Sequence, residues 1–308
     1  MNIACRICGS QRTAHWFDSP DHVTGEVFGL WRCEDCGFGF TWPQPRSLDR
    51  YYADFYRDYD RASAGLLQRL QQRRARRWVR ALGHTGRCLD IGCGDGWILT
   101  EIRRQGWRVV GLERTVESAR FAREVQRLPV IVGPLEAMRD DARFDLIVLH
   151  QALEHLPDPM DTLQHCGRLL RPGGRLVVAV PNLDSWQARW ARGHWLHLDV
   201  PRHLGHFSPA SLRRALERAG LSWESARYVS WEYDPVGWVD SALNKLGFPM
   251  NALLRIIQHD PRLRPGSVVG VAALMLAAVL ILPATLLAIL SWATRRGAIM
   301  EVQAYRPR

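Results

Sequence analysis

Three glycines at alternate positions, Gly92, Gly94 and Gly96 in CLDIGCGDGW, are placed to bring backbone against a ligand. They follow an apolar run ending in Asp90 and lead into a helical pattern at Trp97. Glycine permits close approach of the chain, and the helix start beyond it favours a negative group. The spacing is G-x-G-x-G and departs from the G-x-G-x-x-G of dinucleotide sites. A second acid, Glu113, closes the next apolar run in VVGLE, where a carboxylate accepts hydrogen bonds from ribose hydroxyls. Four cysteines offer a different chemistry. Cys5-x2-Cys8 and Cys33-x2-Cys36 are separated by 24 residues, and two such knuckles present four thiolates as structural zinc requires. A redox pair is the alternative. Histidines supply candidate general bases: His150 after LIVL, His155 in LEHLPDP, and His203 and His206 in DVPRHLGHFSP. The last segment reads first as an acceptor-site lid, with a structural loop as the alternative and a metal site, joined by His194 and His197, as the third reading.

These residues need elements to hold them. From Arg87 the chain alternates short apolar runs with helical patterns: RCLDIG, RVVGLE, PVIVG, RFDLIVLHQ, GRLVVAVP and LSWESARYVS as strands, GWILTEIRRQG, TVESARFAREVQ, MDTLQHCGRLL and SPASLRRALERAG as helices. Strands joined by helical crossovers imply a parallel, doubly wound sheet. Ser208, Pro209 and Gly220 frame the last of these helices as cap, first position and stop. Upstream, SLDRYYADFYRDYD reads as a helix opening at Ser47, and LLQRLQQRRARRWVRAL (66–82) as another ended by Gly83.

LDIGCGDG with the downstream GLE resembles the class I S-adenosylmethionine-dependent methyltransferases. The likeness continues through RFDLIVLHQALEHLPDP and LRPGGRLVVAVPN and covers about residues 84–235. It implies a Rossmann-like doubly wound α/β fold of seven strands. It implies that Gly92, Gly94 and Gly96 line the methionine half of the cofactor above Asp90, and that Glu113 holds the ribose. Pro134 stands where an adenine-binding acid is usual, so the adenine falls to backbone near Leu135. His150 and Gln151 would sit near the transferred methyl group. The Glu154-His155 pair is similar to the E-x-x-E-H run of quinone-pathway O-methyltransferases, with Gln151 where the first acid would be. The pair either takes part in chemistry or orders its loop. WRCEDCGFGF has the glycine and aromatics of a zinc-ribbon knuckle, and such ribbons precede methyltransferase domains with several substrate classes.

The run SVVGVAALMLAAVLILPATLLAILSW (267–292) carries no charge. Class I methyltransferases end in a strand inserted antiparallel into the sheet, and AIMEVQAYRP (298–307) has the alternation and place of that strand. A single membrane pass would separate it from its sheet. The run is therefore expected to leave and return on one side, bent at Pro283 into two pieces each too short to span. Burial against protein and a true span are the alternatives. Basic residues flank it, Arg262 and Arg264 before, Arg295 and Arg296 after, as at a cytoplasmic face.

The expected organisation is a zinc-ribbon module at 1–45, a helical connector at 46–83, a methyltransferase domain at 84–235 plus 298–308, and a membrane-associating insertion at 236–297. The net charge is +10, yet of the 41 basic residues one, Lys245, is lysine, which points to coding bias as much as to an anionic partner. MNIACRICGS shows no secretory pattern, and its paired cysteines suit the reducing cytosol. The expected activity is methyl transfer from S-adenosylmethionine to O or C of a small or membrane-associated acceptor: a lipid, a quinone or a lipid-linked glycan. The expected location is cytoplasmic, at the membrane face. Nucleic acid is not expected as partner; an RNA methyltransferase using the ribbon and the arginine-rich helix is the alternative. A cofactor-binding membrane protein without catalysis is the third reading.

Overall fold

The computed structural model describes residues 3–52, 61–138 and 143–308, with side chains from residue 65 in the second stretch. Most of the helix expected from Ser47 lies outside these residues; its described start is a single 3-10 turn, Asp49–Tyr51. The chain forms two compact units. One joins Met1–Ala64, Pro181–Leu212 and Arg227–Met300; the other joins Gly65–Val180, Arg213–Ala226 and Glu301–Arg308.

The second unit is built on short runs rich in aliphatic residues, those at the centre of the sheet buried on both faces as central parallel strands are. These are β4 (Arg87–Ile91), β5 (Arg108–Glu113), β6 (Val130–Val132), β7 (Phe144–His150) and β8 (Leu170–Pro181), with β10 (Ser222–Arg227) and β11 (Ile299–Tyr305) completing seven strands in the order β10-β11-β8-β7-β4-β5-β6. β4 runs parallel to both β5 and β7, so the chain reverses its direction of winding at β4. The strand following the apolar run lies within the sheet, between β10 and β8. The helices α1 (Arg61–Leu82), α2 (Trp97–Arg104), α3 (Val116–Glu124) and α4 (Pro159–Leu169) belong to this unit, and α6 (Pro209–Arg218) leads into β10. Trp78, Leu99, Ile102, Val109, Leu146 and Val148 meet in its core.

In the first unit β1 (Thr13–Pro20), β2 (Val27–Cys33), β3 (Gly39–Trp42) and the two-residue β9 (Gly205–His206) form an antiparallel sheet in that order. The short helices α5 (Trp186–Ala191) and α8 (Ala252–Ile257), with α7 (Asp234–Lys245) and α9 (Val268–Ala293), complete it. The apolar run corrects the expectation of a bend. It is one helix of 26 residues with Pro283 inside it. A proline in a helix interior removes one N–H donor and crowds the preceding turn. Here a continuous stripe packed on α7 and α8 holds the helix together on both sides of it, from Ala273 and Ala277 to Ala284 and Ala288.

Candidate functional site

The loop after β4 is shaped by its glycines. Gly92, Gly94 and Gly96 all take left-handed backbone, with φ of 74°, 51° and 76°. A Cβ at Gly96 would fall 2.3 Å from Leu128 Cδ1, whereas at Gly94 it would meet only open space. The first closeness locks the loop against the unit, and the second leaves a bare backbone face. The Gly92 N–H donates to the Leu112 carbonyl at 2.8 Å and the Gly96 N–H to that of Cys93 at 2.9 Å. At the tip of β5, Glu113 accepts from the Gly94 N–H at 2.6 Å and from its neighbour Arg114 at 3.2 Å. Asp90 is 1% exposed. Burial, aided by the nearby Glu113 charge, raises its carboxyl well above the usual range, and its Oδ2 has no hydrogen-bond partner among the described residues. Leu135 begins a 3-10 turn after Gly133, whose N–H donates to the Glu113 carbonyl at 2.9 Å.

β7 delivers the next residues. Asp90 pairs in register with Val148, two positions before His150. His150 is buried and its Nε2 lies 3.0 Å from Arg74 Nη1. A guanidinium only donates, so His150 Nε2 must be the acceptor. Burial and the Arg74 charge lower the ring's pKa well below its ordinary value, leaving it neutral with the proton on Nδ1. Gln151 follows in left-handed backbone, φ 53°, with its N–H on the Ala179 carbonyl at 2.8 Å and its Nε2 buried without a partner among the described residues. Glu154 and His155 sit on a 3-10 turn, Leu153–His155, the acid buried and the histidine half-buried.

Arg74 carries a contact that sequence reading missed. Its Nε lies 3.1 Å from Glu301 Oε2, and Glu301 on β11 also receives Arg77 at 2.6 Å and the Trp78 indole N–H at 3.0 Å. Arg76 pairs in the same way with Glu101 at 2.6 Å. Arg74, Arg76 and Arg77 of the arginine-rich helix therefore face carboxylates. The spacing of Arg74 and Trp78, four apart on a helix, was the available signal; the partner is far away in sequence.

His203 belongs to the other unit. Its loop is held by Arg202, a fully buried guanidinium that donates to Asp199 Oδ1 at 2.7 Å and to the Tyr51 carbonyl at 2.6 Å and forms an ion pair with Asp21 at 2.8 Å. His203 Nδ1 lies 3.0 Å from the His197 carbonyl, and burial lowers its pKa to about 4. His206 Nε2 lies 3.0 Å from Thr41 Oγ1.

The cysteines converge in that same unit. Cys5 and Cys36 sulfurs are 3.5 Å apart, Cys8 and Cys33 3.6 Å, and the four lie within 4.8 Å of one another. Thiolates on a tetrahedral zinc with bonds of about 2.3 Å would stand about 3.8 Å apart, a few tenths of an ångström from the separation of the two near pairs. The two knuckles repeat one design. Gly9 N–H donates to the Cys5 carbonyl and Cys5 N–H to that of Ser10; Gly37 N–H donates to the Cys33 carbonyl and Cys33 N–H to that of Phe38. Gly9 and Gly37 both have left-handed φ, 77° and 73°.

A family model described as "Methyltransferase domain" matches residues 59–226, more than half of the chain. The chain belongs to this methyltransferase family. Its class I, S-adenosylmethionine-dependent resemblance agrees with that membership. Among curated relatives, an enzyme named ubiquinone biosynthesis O-methyltransferase from Maricaulis maris is 31% identical over 164 residues, 49% of this chain and 63% of the relative. Another of that name from Aromatoleum aromaticum is 29% identical over 182 residues, 54% of this chain and 77% of the relative. The chain thus spans less than two thirds of the length of the Maricaulis relative. A putative sarcosine dimethylglycine methyltransferase from Galdieria sulphuraria shares the fold: TM-score 0.53 at 15% identity, covering 81% of this chain and 91% of that one.

Proposed function

We propose that the protein is an S-adenosylmethionine-dependent methyltransferase acting on an apolar, quinone-like acceptor at the cytoplasmic face of a membrane. The observation that carries the reading is the left-handed glycine loop between β4 and α2 with Glu113 at the tip of β5, on a seven-stranded sheet. The residues fit the cofactor: Gly94 leaves an open backbone face, and Asp90 Oδ2 and Gln151 Nε2 are buried polar atoms without a partner among the described residues. Gly92, Gly94 and Gly96 would lie along its methionine half, Asp90 near its amino group, Glu113 on the ribose, and Leu135 by the adenine. When bound, S-adenosylmethionine supplies an electrophilic methyl group.

What the chain itself contributes is alignment and a dry, preorganised surround. His150, neutral and already accepting from Arg74, contributes a fixed Nδ1–H donor beside Gln151. Removal of an acceptor hydroxyl proton then falls to His155, which requires an imidazole lone pair to accept it. The ubiquinone O-methyltransferase relatives support an oxygen of a quinone-like ring as the methyl-accepting atom. We assign the four cysteines to structural zinc, a closed site outside the chemistry. Nucleic acid is not proposed, because Arg74, Arg76 and Arg77 are engaged by carboxylates.

The test is calorimetric titration of the purified chain with S-adenosylmethionine, followed by incubation with membrane extract and the labelled methyl donor. Label in an extractable lipid fraction is expected; absence of cofactor binding would remove the enzyme reading. Metal analysis should return one zinc per chain, and a strong chelator should unfold the cysteine knuckles.

A further inference from the structure

α9 divides its surface by side-chain size. The residues it buries are Gly270, Ala273, Ala277, Ala284, Ala288 and Ser291, all small and on one stripe. Most of the residues it exposes are large and apolar: Val268 is 88% exposed, Val279 70%, Leu282 68% and Met275 67%. No charged residue lies between Ser267 and Trp292. An exposed apolar face of this length marks an interaction surface.

What lies under the stripe limits how that face can be used. The stripe packs on α7, and polar bonds pin α7 to the rest of its unit. Gln187 Nε2 donates to the Asp234 carbonyl at 2.7 Å, the Leu196 N–H to Ser241 Oγ at 3.0 Å, and Asn244 Nδ2 to the His194 carbonyl at 2.9 Å. Asp240 on α7 accepts the Leu253 and Leu254 N–H groups at 2.9 and 2.8 Å. If α9 crossed a bilayer, this layer of buried polar groups would be carried into hydrocarbon with it. Both ends of α9 are also tied to the same unit. Before it, Arg262 Nη1 donates to the Val23 carbonyl at 2.7 Å. At its far end the Trp292 indole N–H donates to Asp234 Oδ2 at 2.5 Å and Arg296 Nη1 to the Asp184 carbonyl at 3.3 Å.

The charges flanking the face suit one occupant. Arg264 precedes it and Arg295 follows it, while Arg262 and Arg296 pair with Asp260 and Asp184, so an uncharged apolar rod carries a cation at each end. Such cations gain energy at an anionic lipid surface. Trp231, 54% exposed, packs edge-on against Trp292 with ring centroids 4.6 Å apart, an aromatic pair suited to the headgroup level. We infer that α9 is an in-plane membrane helix: its large aliphatic residues enter an anionic leaflet, its small-residue stripe stays on α7, and both ends remain on the protein's side. This deepens the membrane part of the proposed function and does not depend on the cofactor or the acceptor.

The test is flotation of the full chain with vesicles of phosphatidylcholine, with and without phosphatidylglycerol. Binding to the anionic vesicles is expected. The triple variant Val279→Gln, Leu282→Gln, Leu286→Gln should lose about tenfold or more in partitioning. Arg264→Gln with Arg295→Gln, which leaves the apolar face intact, should weaken binding to the anionic vesicles alone. An impermeant maleimide added outside should label both Gly266→Cys and Thr294→Cys on vesicle-bound protein. Labelling of only one end would establish a span and overturn the inference. So would wild-type partitioning by both sets of variants, or a vesicle-free dimer in sedimentation, which would mean that a second copy covers the face. Calorimetry with S-adenosylmethionine on the same samples separates the two readings: lost cofactor binding with intact flotation sinks the catalytic reading only.

Discussion

Glu113 carries two duties in one side chain. It closes β5 and accepts the Gly94 N–H, so it shapes the loop that it would serve as ligand. Glu113→Gln keeps the size but loses charge-assisted acceptance. It is expected to weaken binding of S-adenosylhomocysteine about tenfold to a hundredfold, read by calorimetry, with a small effect on stability. Unchanged affinity would remove Glu113 from the cofactor site. At this scale the sequence was informative because the loop is local: three glycines within five residues, an acid before them and an acid ending the next strand are visible without any fold. The state of His150 was not visible. A histidine at a strand tip reads as a base, but its Nε2 is occupied by Arg74, which the chain brings from α1.

Among the elements, α1 is the one whose role changes. In sequence its arginines read only as a basic row that an RNA partner could use. In the fold Arg74, Arg77 and Trp78 converge on Glu301 of β11, which is 6% exposed. Glu301→Gln would leave the buried Arg74 without its charge partner. The expected loss is about 3 kcal/mol, read as a lower urea midpoint at unchanged slope. Retained stability would mean that the pair is replaceable. The expected bend at Pro283 failed at the same scale. Sequence rules assign proline a local cost, of about 3 kcal/mol in a helix interior. They do not see the stripe of small residues that holds α9 along α7 on both sides of that position.

For the molecule as a whole, the buried histidines set the response to acid. Burial lowers His22, His197 and His203 to about 4 and His206 to about 3. Between those values and the ordinary 6.5 the unfolded chain binds protons that the folded chain refuses, so stability falls as pH drops through that window. Three buried acids oppose this: Asp90, which burial holds well above the usual carboxylate range, Asp234 and Asp240. Burial raises Asp234 to about 7 and Asp240 to about 6, and each adds stability as pH falls from that value toward 3.8. With His150 also held below its ordinary value, five histidines outnumber three acids, so thermal unfolding from about pH 6.5 down to about pH 5 should show a falling midpoint. A flat or rising midpoint would show that these histidines are not held neutral in the folded chain.

By itself the sequence determined the chemistry-bearing clusters that are contiguous or regularly spaced: the glycine loop, the acid after β5, the two cysteine knuckles, and an uncharged run of bilayer length. It also determined the alternation of strands and helices that makes the sheet, because both signals are carried by neighbours within one turn or one strand. Only the tertiary structure decided which groups are free to react and which are already bonded. The Glu301 anchor of the arginines, the neutral Arg74-bound His150, the buried Arg202 network and the unbroken α9 all depend on partners distant along the chain. Long-range pairing under burial has no local signature, since the same arginine reads alike in water and against a buried carboxylate.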